Sequence, residues 1–240
     1  MSVNLQAAVV TDPGLIRSNN EDLAHAGQRL IAIADGMGGL PAGELASAIM
    51  IRTLEDLDDL DLATGSDALT VLEGAVIDAN DEVREAAEAD PARAGMGTTL
   101  TAMLLAADGE MALVHVGDSR GYRFRNGELT QVTIDDTYVQ MLVDSGELAQ
   151  EDARHHPQRA LVTQAIQGGV FEPHRILLQP EAGDRYLLCS DGLSDVLTDE
   201  TIETALATYL EPLECAERLV KLTLAAGAPD NVTVIIANVL

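Results

Sequence analysis

The sequence contains very few aromatic residues, and none of them is tryptophan. Aromatic residues make up 2% of the 240 residues, whereas hydrophobic residues as a whole make up 47%. That hydrophobic content is typical of a globular protein, and the length suits one domain with a substantial core. We therefore expect a single domain over residues 1–240, with a core built from Ala, Val, Leu and Ile.

Basic residues are also scarce. The chain has 14 Lys and Arg against 40 Asp and Glu, which gives a formal net charge of −26, and Lys221 is the only lysine. Such a surface repels nucleic acid, because binding to nucleic acid requires a basic face. It also disfavours anionic membranes. We expect no nucleic-acid partner and no membrane contact by this segment.

The sequence has only two cysteines, Cys189 and Cys215, which are too few for a disulfide framework and favour a reducing compartment. The N-terminus lacks the basic start and apolar stretch of a signal peptide. The longest apolar runs reach about ten residues, against the roughly 20 that a membrane-spanning helix needs. We expect a cytoplasmic location. Because the chain stops just after a strand-like run, it also suits the cytoplasmic domain of a membrane-anchored protein.

Aliphatic runs predict strands, and apolar residues at helical spacing predict helices. Strands are expected at residues 6–10, 30–34, 98–106, 111–116, 185–189 and 232–239. Helices are expected at residues 43–57, 67–89 (capped by Ser66), 137–145, 199–210 and 212–226. The dipeptide Asn126–Gly127 predicts a tight hairpin between residues 121–125 and 128–132, since both central residues need positive φ. Paired helices between groups of strands favour an α+β fold with antiparallel sheets.

An aspartate stands at one end of four strand-like runs: Asp35, Asp118, Asp191 and Asp230. One interpretation is that strand ends are simply polar. The other is that these carboxylates converge, which requires a neutralising cation because buried carboxylates repel one another. Carboxylate oxygens suit Mg²⁺, Mn²⁺ or Ca²⁺ better than Zn²⁺. Two such ions close together can activate water and bind a phosphoryl group.

A second charged segment runs from Arg17 to Asp22. It is interpreted either as a salt-bridged loop or as a phosphate site, in which Arg17 binds the phosphate and Glu21 or Asp22 supports a metal-bound water. No Ser-His-Asp or Cys-His pairing indicates a protein nucleophile, and no P-loop is present. The histidines look isolated, so core or surface roles are expected for His25, His115 and His174.

Taken in order, these motifs resemble the metal-dependent Ser/Thr phosphatases of the 2C type, the PPM family, over nearly the whole chain. The matching segments are Arg17 with Asn20-Glu21-Asp22, Asp35 to Gly39, Gly97-Thr98-Thr99, Val116 to Arg120, Ser190 to Leu193, and Asp230 to Thr233. Residues 135–159 are similar to the actinobacterial member that opposes membrane-bound Ser/Thr kinases.

The resemblance implies a four-layer α/β/β/α sandwich, in which two packed antiparallel sheets are flanked by pairs of helices. It also implies a centre with two Mn²⁺ or Mg²⁺ ions. Asp35 would bridge them, the carbonyl of Gly36 would bind one, and Asp191 and Asp230 would bind the other. Asp118, together with Asp191, would hold a third and weaker ion.

Further roles follow from the same resemblance. Glu21 and Asp22 would act on the metals mainly through water, and Arg17 would hold the substrate phosphate. Arg17, Asp35 and Asp191 would thus be the catalytic residues. Thr98 and Asn231 would support the site.

The implied activity is hydrolysis of phosphoserine and phosphothreonine in proteins, which reverses Ser/Thr kinase signalling. A metal-bridging hydroxide would attack in line, with no phosphoenzyme. The implied partners are phosphorylated proteins, Ser/Thr kinases among them, and the expected state is a monomer. A flap at residues 144–169 would influence substrate choice.

Two other functions fit parts of the pattern. A regulatory module on this fold without catalysis usually lacks a metal aspartate or the phosphate arginine, and this chain keeps both. A phosphatase that acts on a regulatory partner, such as an anti-sigma antagonist, usually carries sensor domains, and none is visible here.

Four positions depart from the wider family pattern: Met37, Leu40, Asp136 and Gln164. Met37 and Leu40 stand where many relatives have His, so a candidate general acid is missing and metal-bound water would protonate the leaving group. Asp136 replaces a common His, and Gln164 a frequent Arg near the flap. We expect these changes to alter rate or substrate preference and to leave the metal core intact.

Overall fold

The computed structural model describes residues 4–37 and 42–240. In this part of the chain, one antiparallel sheet has five strands. In spatial order these are β1 (Leu5–Asp12), β11 (Val232–Val239), β10 (Arg185–Cys189), β7 (Arg120–Arg125) and β8 (Glu128–Gln131).

The second antiparallel sheet has six strands. Its spatial order is β2 (Asp22–Ala26), β3 (Leu30–Met37), β5 (Leu100–Leu105), β6 (Met111–Val116) and β9 (His174–Leu178), while the short β4 (Gly97–Thr98) pairs with the end of β3. The two halves of the chain thus contribute to both sheets, which brings distant loops together at the sheet ends.

The helices lie outside the sheets. They are α1 (Gly43–Glu55), α2 (Gly65–Ala89), α3 (Tyr138–Asp144), α4 (Gln150–Ala153), α5 (Asp191–Ser194), α6 (Asp199–Thr208) and α7 (Pro212–Ala225), with 3₁₀ turns at Asp56–Asp59 and Pro91–Arg93. Within the described residues, no helix is long and apolar enough to cross a membrane.

Strand β3 shows how the layers form. Its side chains alternate between the two faces of the sheet, as in any strand. Leu30, Ala32 and Ala34 pack with α1 and α2, whereas Ile31 and Ile33 join the core between the two sheets. All five are fully buried, and burying a large aliphatic side chain stabilises the fold by about 1.5–3 kcal/mol.

A third apolar layer covers the other face of the five-stranded sheet. Leu187 and Val234 of this sheet pack there against Ile202 of α6 and Leu219 of α7. The helix pair α1–α2, the two sheets and the pair α6–α7 therefore form four layers. The predicted α+β sandwich is confirmed.

Most predicted elements are present, with shifted ends. The hairpin turn is confirmed, with φ of 54° at Asn126 and 88° at Gly127. The predicted strand over residues 98–106 is present as β5 with the end of β4. It is interrupted at Thr99, whose backbone N–H donates to the carbonyl of Asp35. Ser66 does not cap α2; the side chain of Thr64 accepts the hydrogen bond from Asp67 N instead.

Sequence patterns missed β2 and β9. Both strands are short, and their burial is mostly intermediate. Because they lie at the two edges of the six-stranded sheet, they lack the fully apolar runs that mark β5 and β6. Edge position therefore explains the missing signal.

The predicted flap at residues 144–169 consists of two different parts. Its first part, which includes α4, is largely exposed. Its last part belongs to a segment that is tied to the body, and we call residues 162–172 the root segment. Ile166 of this segment is fully buried and exchanges two backbone hydrogen bonds with Thr98, at 2.9 and 3.0 Å. Only the first part matches the predicted surface excursion.

Candidate metal centre

The predicted aspartates meet at one end of the sandwich, around a cavity of about 250 Å³. Asp35 lies in β3, and Asp118 follows β6 after Gly117. Asp191 begins α5 after β10, and Asp230 precedes β11. The described residues that line the cavity are Arg17, Asn19, Glu21, Asp35, Gly36, Met37, Asp118, Ala160, Val162, Asp191, Asp230 and Asn231.

Two threonines fix the backbone of Asp35. Its carbonyl accepts from Thr99 N at 2.9 Å and from Thr98 Oγ1 at 3.0 Å, and its N–H donates to Thr99 Oγ1 at 3.1 Å. The next residue, Gly36, allows a close approach of chains, because a Cβ there would lie 2.3 Å from the carbonyl oxygen of Gly43. The predicted supporting role of Thr98 thus has a physical basis in its contact with Asp35.

Asn231 joins the loop before β11 to the charged segment near the N-terminus. Its side-chain oxygen accepts from Glu21 N at 2.9 Å, and its amide donates to the carbonyls of Pro13 at 3.0 Å and Asn19 at 2.8 Å. These contacts connect the backbone of Glu21 to the loop that carries Asp230.

Burial and mutual repulsion perturb the cavity carboxylates. Burial, followed by the charges of Asp22 and Asp191, holds the pKa of Asp35 well above its usual range. Burial and the charge of Asp118 do the same to the pKa of Asp191. The pKa of Asp118 rises to about 7, chiefly through burial. Such perturbed groups in a cleft indicate a functional site.

Arg17 is the only cation among the described residues that line the cavity. Its Nη2 lies 2.7 Å from Oδ2 of Asp230, and this hydrogen bond raises the pKa of Arg17. The Arg17 side chain is 53% exposed, so its guanidinium remains accessible to a ligand. Both interpretations of this residue, salt bridge and anion site, are therefore compatible with its position.

Asp22 occupies a different position from Glu21. Asp22 is buried and does not line the cavity. Its Oδ2 accepts from Ser190 Oγ at 2.8 Å and Thr233 Oγ1 at 2.7 Å, while Oδ1 finds no hydrogen-bond partner among the described residues. Burial raises the pKa of Asp22 to about 6. Asp22 is the cross-strand partner of Asp35 in β2 and β3, so the two side chains are neighbours on one face of the sheet.

The chemistry of these groups fits hard divalent cations, which prefer carboxylate and carbonyl oxygens. A cation would also offset the repulsion that raises the pKa values of Asp35 and Asp191. Among residues 4–37 and 42–240, no three His, Cys, Asp or Glu side chains are close enough together to form a ready set of metal ligands. The fit therefore lies in donor type, charge and shared cavity.

The prediction that the histidines are isolated is wrong for two of them. His115 and His174 are cross-strand partners in β6 and β9, and their ring centroids lie 5.7 Å apart. His174 Nε2 lies 2.9 Å from Oδ1 of Asp136. Because β9 was not apparent from sequence, no signal there could have placed these residues together. Leu40, the other position singled out for a missing His, lies outside the described residues.

A model of the protein phosphatase 2C family matches residues 18–225. The chain belongs to the protein phosphatase 2C family. The match covers most of the sandwich and three of the four cavity aspartates, Asp35, Asp118 and Asp191. The family resemblance inferred from the motifs is thereby confirmed.

Individual members of the 2C family are similar over nearly the whole chain. The serine/threonine protein phosphatase PstP of Mycobacterium tuberculosis is 52% identical over 98% of this chain. The match spans 45% of PstP, so the chain covers less than half the length of this relative. The serine/threonine phosphatase Stp of Listeria monocytogenes is 33% identical, over 98% of this chain and 96% of its own length.

Among solved structures, the catalytic domain of PstP in complex with two manganese ions superposes with a TM-score of 0.92. The sequences are 49% identical, and the match covers 100% of both chains. This likeness confirms the 2C phosphatase fold and the resemblance to the actinobacterial member.

Proposed function

We propose that this chain hydrolyses phosphoserine and phosphothreonine in proteins and that the reaction depends on Mn²⁺ or Mg²⁺. The observation that carries the proposal is the cavity in which four strand-end carboxylates meet one accessible arginine. Membership of the 2C family and the names of its relatives, which are Ser/Thr phosphatases, support it.

The carboxylates are assigned as cation ligands. Asp35, the Gly36 carbonyl, Asp191 and Asp230 would hold two ions, and Asp118 with Asp191 would hold a weaker third one. When bound, divalent cations supply Lewis-acid polarisation of the phosphoryl group and activation of water. The two manganese ions in the PstP structure support this assignment.

Arg17 is assigned to the substrate phosphate. A guanidinium can donate two parallel hydrogen bonds to phosphate oxygens. In the present structure Arg17 pairs with Asp230. When cations bind Asp230, the substrate phosphate would replace it as the partner of Arg17. This exchange would hold the ester in place next to the carboxylates.

Attack by water without a phosphoenzyme agrees with the residues of the cavity. The described lining residues include no Ser, Thr, Cys or His side chain, so the usual hydroxyl, thiol or imidazole nucleophile is missing there. The lining Asp and Glu side chains are needed to balance the cations. Glu21, which lines the cavity, is placed to bind ordered water, whereas Asp22 would act through its neighbours.

The substrates proposed are phosphorylated proteins, Ser/Thr kinases among them, and the proposed setting is the cytoplasm. Cys189 and Cys215 are buried and form no disulfide bond, which agrees with a reducing compartment. The net charge of −26 argues against nucleic acid as a partner. We propose a monomer.

The test is release of phosphate from a phosphothreonine peptide by purified protein, with added Mn²⁺, with Mg²⁺, and with EDTA. We expect release that depends on the metal and is lost in EDTA. An Asp230→Asn variant serves as the control for contaminating phosphatases. No release from wild-type protein, with Mn²⁺ binding shown by calorimetry, would overturn the proposed activity and favour a regulatory module.

A further inference from the structure

The loop Gly117–Ser119, which carries Asp118 between β6 and β7, is held from two sides. On the side of the sheets, Ser119 Oγ lies 2.8 Å from Thr99 Oγ1, and Thr99 also binds the backbone of Asp35. Thr99, which lies between β4 and β5, therefore links the loop of Asp118 to the backbone of Asp35. On the other side of the loop the holding residue is Asp136, which no motif assigns to the site.

Asp136 exchanges two hydrogen bonds with Gly117. Gly117 N donates to Oδ2 of Asp136 at 2.9 Å, and Asp136 N donates to the carbonyl of Gly117 at 2.7 Å. Gly117 has φ of +104°, and a Cβ there would lie 2.7 Å from Cγ2 of Thr99. The loop is thus enclosed between Thr99 and Asp136, and it has little room to shift.

Asp136 also accepts two hydrogen bonds from the root segment of the flap. Its carbonyl accepts from Thr163 N at 2.8 Å, and its Oδ2 accepts from Gln164 Nε2 at 3.1 Å. Gln164 in turn binds both backbone groups of Glu172, at 2.8 and 2.9 Å. The other carboxylate oxygen, Oδ1, lies 2.9 Å from His174 Nε2. One half-buried carboxylate therefore joins the loop of Asp118, the root segment and β9.

We propose that Asp136, which Thr163 and Gln164 of the root segment anchor, is a positioning residue that sets the place of Asp118 through its hydrogen bonds to Gly117. This inference rests on the proposed function and deepens it. Residues that orient a ligand from behind typically change metal affinity or activity by about 10–100-fold when they are replaced. The effect of Asp136 on a metal would be indirect, because Asp136 does not line the cavity.

The main experiment replaces Asp136 by alanine and measures Mn²⁺ binding by calorimetry beside kcat and KM on a phosphothreonine peptide. We expect the Mn²⁺ held by Asp118 to bind more weakly and kcat to fall by about 10–100-fold, with a smaller change in KM. Asp136→Asn keeps the shape and an oxygen acceptor for Gly117, so it should restore most of the affinity. Asp136→Glu keeps the charge and alters the geometry, so it should not.

Asn80→Ala is the matched control. Asn80 of α2 also holds the root segment, through Gly168 N at 2.8 Å and the carbonyl of Gly169 at 3.0 Å, but has no contact with Gly117. We expect this variant to lower Tm and to leave Mn²⁺ affinity and kcat within about twofold of wild type. Equal losses in Asn80→Ala and Asp136→Ala would show that only general stability is at work, and would overturn the proposal.

A double-mutant cycle with Asp118→Asn separates positioning from an independent effect. If Asp136 acts through Asp118, Asp136→Ala should weaken Mn²⁺ binding no further in the Asp118→Asn background. An undiminished further loss in that background would overturn the proposal. Calorimetry decides the question even if wild-type protein releases no phosphate, so failure of the proposed function remains distinguishable. Should Asp136→Ala fail to fold, the Asp136→Asn and Asp136→Glu pair carries the same test.

Discussion

The molecule contains two kinds of buried or partly buried aspartate, and they differ in what surrounds them. Asp58 and Asp184 receive hydrogen bonds from backbone N–H groups or from an arginine. Asp35, Asp118 and Asp191 line the cavity, and among the described residues no basic side chain donates a hydrogen bond to any of them. The comparison separates carboxylates that hold the fold together from carboxylates that are kept ready for a ligand.

Asp58 shows the structural kind. It lies in the 3₁₀ turn after α1 and accepts from the backbone N–H groups of Gln28, Arg29 and Leu30, at 2.7–3.3 Å. Although partial burial acts in the opposite direction, these donors hold the pKa of Asp58 below its usual range. Hydrogen bonds to the charged form favour ionisation. The charge of Asp58 is therefore stabilised by the fold itself.

The cavity aspartates show the reverse. Burial and neighbouring carboxylates raise the pKa values of Asp35, Asp118 and Asp191. Among the described residues that line the cavity, the only cation is Arg17, which pairs with Asp230. The nearby charge of Arg120 lowers the pKa of Asp118 and only partly offsets the effect of burial. Their arrangement costs stability in the metal-free protein, and a bound cation would remove that cost.

The largest expected effect comes from replacing one cavity aspartate and one structural aspartate by asparagine. Asp191→Asn should lower kcat by at least about 100-fold, because it removes an assigned ligand of one core ion and of the weaker third ion. In EDTA at pH 8 the same variant should have a higher Tm than wild type, because a repelled buried charge is gone. Phosphate release at saturating Mn²⁺ and thermal melts check both parts. Retained turnover would remove Asp191 from the assigned machinery.

The matched structural change is Asp184→Asn. Asp184 is buried and receives Arg125 Nε at 2.6 Å and Glu181 N at 2.9 Å. Breaking a buried pair of this type costs about 3 kcal/mol, so Tm should fall while kcat per folded molecule stays unchanged. If Asp184→Asn and Asp191→Asn shifted Tm in the same direction in EDTA, the division into two kinds of aspartate would fail.

The response to pH gives the next largest effect. A carboxyl whose folded pKa is raised binds more protons in the folded than in the unfolded state, so the free energy of unfolding falls as pH rises through that window. The window begins near the usual pKa of 3.8 and extends to the folded pKa, which is about 6 for Asp22 and about 7 for Asp118. The Tm of metal-free protein should therefore fall between pH 5 and about 7.5, and saturating Mn²⁺ should remove that fall.

The same protons compete with the metal. Because Mn²⁺ must displace them from the cavity carboxylates, its apparent affinity should decrease by about 10-fold per pH unit below pH 7 for each proton released. Calorimetry in buffers of different ionisation enthalpy counts those protons. Binding that releases no protons at pH 6 would contradict the raised pKa values of Asp35 and Asp191.

Arg17→Ala tests the one cation at the cavity and should have a smaller effect. If Arg17 mainly binds the phosphate of the ground state, its loss should raise KM by about 10-fold and lower kcat less. Arg175→Ala is a suitable control, because Arg175 forms an exposed pair with Glu73 at 3.1 Å and lies outside the cavity lining. A large fall in kcat at unchanged KM would instead assign Arg17 to the transition state.

Sequence reasoning located the cavity well because its carboxylates stand at strand ends, next to apolar runs that are easy to recognise. The motifs predicted Asp35, Asp118, Asp191 and Asp230, and the fold brings all four to one cavity. Asp22, which was predicted from the charged segment that begins at Arg17, is buried beside Asp35 and does not line the cavity. Whether a side chain faces a cavity depends on strand pairing, which short polar strands do not reveal.

The contacts of Asp136 could not be predicted from the sequence. Its partners Gly117, Gln164 and His174 lie 19, 28 and 38 positions away. One of them is on the edge strand β9, which has no clear apolar signal. Long-range polar contacts of this kind arise from the packing of loops on a finished sandwich. They follow from tertiary structure and leave no periodic trace in the chain.

The smallest expected effect is on Asp58, and its pH dependence tests the structural half of the comparison. Asp58→Asn removes the charge that three N–H groups favour, which should cost about 1–2 kcal/mol at pH 7. A lowered folded pKa gives stability that is present above the unfolded value near 3.8 and is lost as pH falls through the folded value. The difference between variant and wild type in urea unfolding should therefore shrink at pH 3, with kcat unchanged at pH 7. A difference that is independent of pH would mean that Asp58 stabilises the turn by its shape, and that charge contributes nothing there.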